Sequence, residues 1–152
     1  MINLFRKEKI YKKIAYKIFD NLLKEFKIEK SFYAFIDVTI DYDYLTSYCH
    51  NFYDGSKLSK SKIIINLASV YSAFKKGYKD CYYEGRQKRL DFLKSFKLNF
   101  LFAILHEFRH FIQARELISY DNFKLYRKSY LTEIEADNFA INYLKRKRLI
   151  KL

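Results

Sequence analysis

Two histidines and a glutamate stand at the spacing of a metal site in the segment His106-Glu107-Phe108-Arg109-His110. An α-helix turns once per ~3.6 residues, so His106 and His110 lie on one face of a helix and can bind one metal ion. Glu107 lies beside them, off the line of the ligands, where its carboxylate can take a proton from water. The pattern predicts a zinc site with His106 and His110 as ligands and Glu107 as the general base of a hydrolytic reaction.

A third ligand must come from elsewhere, because a catalytic zinc ion typically takes three protein ligands and keeps one open position. The remaining histidine, His50, precedes the pair, so no third histidine follows it. Glu133 and Asp137 stand four residues apart and share a helix face. Thr132 and Glu135 have the spacing of a capping box, which gives Glu135 a structural role. We therefore predict that Glu133 is the third ligand and that Asp137 binds the outer ring nitrogen of a ligand histidine.

The N-terminal half predicts one helix followed by a small sheet. Apolar residues recur every four positions from about Leu4 to Phe26, as in an amphipathic helix, which we place within residues 1–30. The period changes to two over residues 32–41, which predicts a strand. Residues 44–53 and 62–67 flank Asp54-Gly55, a favourable pair for a tight turn, and predict a hairpin. These strands form a predicted sheet over residues 31–67.

The pattern of the C-terminal half predicts the helices that bear the candidate zinc ligands and the general base. We expect a short helix over residues 69–76, a loop over 78–85 and a long active-site helix from about Gln87 to Leu117, within 86–118. Asp121-Asn122 signals a break, and residues 123–130 are expected to be a second short helical or irregular stretch. A glutamate helix follows over 132–148 and ends in four basic residues, which suit a helix C-terminus.

The strand Lys62-Ile63-Ile64-Ile65-Asn66 directly precedes the helical half. A free strand edge beside an active-site helix can bind an extended peptide as an added strand. An ordinary central strand fits the same residues, so both readings stay open.

Composition narrows the class of protein. The 152 residues, half of them hydrophobic, are expected to form a single domain with a sizeable core. The net charge of +13 favours anionic partners, with nucleic acid possible but not preferred because the lysines suit solvated faces. Two cysteines are too few for a disulfide framework. With no signal-peptide run and no membrane span expected, we predict a soluble, cytoplasmic protein.

The motifs His106-Glu107-x-x-His110 and Glu133-x-x-Ala136-Asp137 resemble those of the gluzincin metallopeptidases, especially the minigluzincins and the HtpX-like and ImmA/IrrE-like peptidases. The resemblance covers residues 62 to about 144. It implies an α+β, zincin-like fold in which a small antiparallel or mixed sheet packs on the active-site helix and the glutamate helix. It also implies a zinc cofactor on His106, His110 and Glu133, with Glu107 as base and a peptide held at the sheet edge.

Two features depart from that family pattern. Arg109 stands where many relatives have a small residue, and it is open whether it pairs with an acid near the metal or with a substrate carboxylate. The residue that stabilises the oxyanion in relatives has no motif here. Tyr126, Tyr130 and Tyr143 are candidates by their proximity in sequence to Glu133, and Arg109 is a further candidate.

The sequence thus predicts a zinc metallopeptidase that acts on protein or peptide. One alternative is a non-enzymatic, basic interaction protein that keeps a zincin-like fold and binds an acidic protein or nucleic acid. Glu107 argues against it, because a purely structural metal site needs no base. Another alternative is an active enzyme whose cleft is covered by the N-terminal helix.

Overall fold

A computed structural model describes residues 4–28, 33–55, 57–76, 81–83, 86–88, 95–116 and 131–150. Within them the fold is α+β, with four helices, a three-stranded mixed sheet and a two-stranded ribbon. The elements in chain order are α1 (Leu4–Glu25), β1 (Tyr33–Thr39), β2 (Tyr48–Asp54), β3 (Lys57–Asn66), α2 (Leu67–Lys76), β4 (Cys81–Tyr83), β5 (Arg86–Lys88), α3 (Phe96–Glu116) and α4 (Leu131–Arg146).

The sheet has the strand order β1-β3-β2, with β1 parallel and β2 antiparallel to β3. The prediction of a hairpin around Asp54-Gly55 is confirmed: β2 and β3 pair on either side of it, and Gly55 has a φ of 61°, which glycine adopts without strain. The free-edge reading of residues 62–66 is wrong, because β3 has a partner on both sides. Among the described strands, the edge strand in contact with α3 is β2.

One face of the sheet forms the core with the helices. Ile36, Val38, Ile63 and Ile65 alternate along β1 and β3 and are almost fully buried. The apolar faces of α1 and α3 pack against the sheet, and the core continues to α4 through residues such as Ile141. Burial of this one face fixes the register, since a shift by one residue would expose the isoleucines.

The helix α3 is shorter than the sequence predicted. Residues 86–88 form β5, which pairs with β4, so the predicted helix start at Gln87 is wrong. The predicted loop over 78–85 is wrong at residues 81–83, which form β4; residues 78–80, 84 and 85 lie outside the described residues. Helix α3 begins at Phe96 because Ser95 caps it: Leu98 N–H donates to Ser95 Oγ at 3.1 Å. Residues 117 and 118, at the predicted end of the helix, lie outside the described residues. The helix still carries all of residues 106–110.

A buried asparagine at the end of β3 holds the loop that leads into β2. Asn66 Nδ2 donates to the carbonyl oxygens of Asp41 and Tyr44, at 2.9 and 2.7 Å. Asn66 Oδ1 accepts from the backbone N–H groups of Asp41 and Ala68. Because a buried amide that makes all of these bonds is costly to disrupt, the loop is held in one position relative to the sheet.

Candidate metal centre

Three ligand atoms converge between α3 and α4. His106 Nε2 and His110 Nε2 lie 3.1 Å apart, and the two carboxylate oxygens of Glu133 lie 3.1 Å from the first and 3.0 Å from the second. The helical spacing brings the imidazoles together, and the packing of α4 on α3 brings the carboxylate to them. His106, His110 and Glu133 therefore form a group that can hold a metal ion.

The spacing of this group fits zinc. Two ligands about 2.0–2.1 Å from a tetrahedral zinc ion lie roughly 3.3 Å apart, close to the separations of 3.0–3.1 Å found here. Two imidazole nitrogens and a carboxylate oxygen are a common donor set for catalytic zinc. Glu133 is half exposed, with 54% of its side chain accessible, so the third ligand faces the open side of the site.

The outer nitrogen of each imidazole is held by an oxygen. Asp137 Oδ1 lies 2.9 Å from His106 Nδ1, and Gln113 Oε1 lies 2.8 Å from His110 Nδ1. Gln113 Nε2 donates to the carbonyl oxygen of Thr132 at 3.1 Å, which fixes the amide with its oxygen toward His110. Both contacts favour a proton on Nδ1 and leave the lone pair of Nε2 for a metal ion.

Hydrogen bonds within the cluster shift the pKa values of His106 and Glu133 in opposite directions. Burial lowers the pKa of His106, but hydrogen bonds to Asp137 and Glu133 outweigh it and raise the pKa to about 10. The same hydrogen bonds from His106 and His110 hold the pKa of Glu133 well below its usual range.

Glu107 is a buried carboxyl beside the ligands. Its exposed fraction is 6%, and burial raises its pKa to about 7, against the opposing attraction of His106 and His110. The backbone N–H of Cys49, in the edge strand β2, donates to it. A carboxyl with a pKa near neutrality can both accept and release a proton at neutral pH.

The cluster opens into a cleft of about 190 Å³ between α3, α4 and the start of β2. The described residues that line it are Thr46, Ser47, Tyr48, Cys49, Asn51, His106, Glu107, His110, Gln113, Thr132 and Glu133. Within the described residues, no part of α1 contributes to this lining, so the prediction of a cleft covered by the N-terminal helix finds no support. The loop held by Asn66 supplies one wall through Thr46 and Ser47.

Arg109 lies on the side of the histidine pair opposite to Glu107, and it pairs with acids of the protein. Its guanidinium donates to Glu135 Oε1, with Nε at 2.6 Å, and its Nη1 lies 3.6 Å from Glu116. The predicted capping box is wrong, because the helix already begins at Leu131 and Thr132 lies inside its first turn. Glu135 instead has a structural role as the partner of Arg109, which joins α3 to α4.

Of the tyrosine candidates, Tyr143 is described, and it does not line the cleft of the metal centre. Tyr143 OH donates to Glu25 Oε2 at 2.8 Å, at the C-terminal end of α1. Tyr126 and Tyr130 lie outside the described residues. Sequence reasoning also missed Gln113, although it stands three residues after His110, a spacing that places two side chains side by side on a helix.

No family model, no curated protein and no solved structure matches this chain. Among the described residues, no helix is long and apolar enough to cross a membrane. The fold and the site therefore define an α+β protein with a His-His-Glu group that can hold a metal ion.

Proposed function

We propose that this protein is a zinc-dependent metallopeptidase. The observation that carries the proposal is the combination of three converging ligand atoms with a buried carboxyl, Glu107, that lines the same cleft without belonging to the ligand set. Burying a carboxyl costs stability, and a purely structural metal site gains nothing from one beside its ligands. A reaction that needs a general base would explain why the Glu107 carboxyl is buried beside the ligands.

His106, His110 and Glu133 would hold the zinc ion. When bound, zinc would polarise the scissile carbonyl and lower the pKa of a water molecule toward ~7. Glu107 takes a proton from the attacking water and passes it to the leaving amine nitrogen. Burial raises the pKa of its carboxyl, which makes the carboxylate a stronger base. Asp137 and Gln113 keep the imidazoles oriented throughout the reaction.

The edge strand supports an extended peptide as the substrate. Cys49 N–H points away from β3, since it donates to Glu107. In an antiparallel pair, alternate residues turn their backbone groups outward, so Asn51, two residues on, presents its backbone on the same side. Both residues line the cleft. A peptide lying along β2 would therefore place its backbone beside Glu107 and the ligand group.

Cleavage of a library of unstructured peptides, read by mass spectrometry, tests this function. Zinc-loaded wild type should cleave, and Glu107→Gln should keep zinc and lose about 10²–10⁴-fold in rate, because the amide retains the shape of the side chain and cannot act as a base. Equal cleavage by both proteins would indicate a contaminant. An intact, zinc-loaded wild type that cleaves nothing in the library would contradict the proposal.

A further inference from the structure

The mixed sheet has a second face, opposite to the one that forms the core, and it carries aromatic rings and lysines. We call it the outer face; the register places on it Phe35, Asp37, Tyr48, His50, Phe52, Lys60, Lys62 and Ile64, the last of which is buried. A sheet with one solvated face normally places polar residues there. Here Phe35, Tyr48 and Phe52 keep 40%, 41% and 36% of their surface exposed on two different strands. Three exposed rings on one sheet face indicate a surface that binds a partner.

The register places positive charge between the rings. Phe35, Lys62 and His50 are neighbours across β1, β3 and β2, and Lys60 pairs with Phe52 in the next outward row. Lys60 Nζ lies 4.6 Å from the centroid of Phe52, and Lys62 Nζ lies 5.5 Å from that of Phe35. The central strand thus carries two ammonium groups flanked on both sides by aromatic side chains.

The acid on this face is already neutralised. Asp37, on β1, lies 2.8 Å from Lys12 Nζ of α1, and that pairing together with Lys62 lowers its pKa despite partial burial. The face therefore has a positive balance, within a chain of net charge +13. Its partner should be anionic and should offer flat groups that stack on rings.

We propose that the outer face binds single-stranded nucleic acid. Unpaired bases would stack on Phe35 and Phe52, while Lys60 and Lys62 would move from the rings to neighbouring phosphates. Each nucleotide of a single strand offers a flat base that can stack on a ring and a phosphate that can pair with a lysine. In a duplex the bases stack on each other, so the rings cannot reach their faces. Tyr48 also lines the cleft of the metal centre, but Phe35, Phe52, Lys60 and Lys62 do not. Binding at these four residues does not depend on the proposed peptidase activity.

Fluorescence anisotropy of a labelled oligothymidylate of about 15 nucleotides tests the proposal. Wild type should bind the single strand more tightly than the same sequence in a duplex. Phe35→Ala and Phe52→Ala should each weaken binding roughly 5- to 150-fold, the range for loss of one stacking ring. Phe5→Ala is the matched control, because Phe5 is 68% exposed on α1, away from the outer face. It should bind as wild type does.

The lysines have their own control. The double variant Lys60→Gln/Lys62→Gln should make the dependence of log Kd on log salt shallower by about 0.7 per lysine, whereas Lys9→Gln/Lys13→Gln on α1 should leave it unchanged. Thermal melting confirms that each variant is folded. The proposal is overturned if wild type does not bind, if it prefers the duplex, or if the α1 lysines rather than Lys60 and Lys62 carry the binding.

Discussion

Arg109 and Glu135 form an ion pair between α3 and α4, one residue from His110 and two residues from Glu133. The pair links the helix that carries both histidines to the helix that carries the third ligand. It is partly buried, and the Arg109 guanidinium also lies over the ring of Phe139 in α4. We infer that it sets the distance between the two helices at the metal centre.

Breaking the pair should therefore weaken zinc binding without removing a ligand. Arg109→Met and Glu135→Gln should each raise the zinc Kd by about tenfold, the low end for losing a group that orients ligands. The exchange Arg109→Glu/Glu135→Arg should recover part of the affinity, because it restores the pair in reverse. Competition titration against a zinc chelator gives the values. Unchanged affinity in all three variants would show that packing alone positions Glu133.

Gln113 should contribute to zinc affinity because it orients the imidazole of His110. Gln113→Leu removes the acceptor for His110 Nδ1 and leaves the carbonyl of Thr132 without this donor, so we expect zinc affinity to fall about 10- to 100-fold. Gln113→Glu keeps an acceptor for His110 and should bind zinc more tightly than Gln113→Leu. The same chelator titration measures both variants. If the Gln113→Leu variant binds zinc with wild-type affinity, Gln113 does not contribute to zinc binding.

Glu107 should make the metal-free protein less stable as the pH rises. Its folded pKa, about 7, lies above the ordinary 4.5, so between these values the folded state holds more protons than the unfolded state. Stability is then lost from about pH 4.5 to 7, by roughly 3 kcal/mol at most. The amide of the Glu107→Gln variant does not titrate, so this variant should not lose stability in that way.

Urea unfolding of the chelated proteins at about pH 4 and pH 8 checks this sign. The stability of Glu107→Gln relative to wild type should increase between the two pH values. The same substitution at the exposed Glu116 is the control. A relative stability that stays constant or decreases would mean that Glu107 ionises without penalty in the folded protein.

Local spacing predicted much of the candidate site. Helix periodicity alone placed His106 and His110 together and put Glu133 and Asp137 on one face, because these relations depend on one helix at a time. The start of α3 was missed because Leu90 and Leu93 extend the apolar pattern beyond the described helix, although Ser95 is a helix-capping residue.

Long-range pairing set the features that sequence reasoning could not reach. The parallel pairing of β1 with β3 makes β3 central, and no local pattern encodes it. The bond from Gln113 to the Thr132 carbonyl, the pairing of Arg109 with Glu135 and the role of Asn66 all join segments at least 19 residues apart. Each depends on how the helices and the sheet pack.

Zinc content after dialysis tests the central claim most directly. Zinc-reconstituted wild type, dialysed against metal-free buffer, should retain close to one equivalent by elemental analysis. Glu133→Ala should lose most of it, while Glu135→Gln, with all three ligands intact, should keep more than Glu133→Ala. The account is contradicted if wild type retains no zinc, or if Glu133→Ala retains as much as wild type.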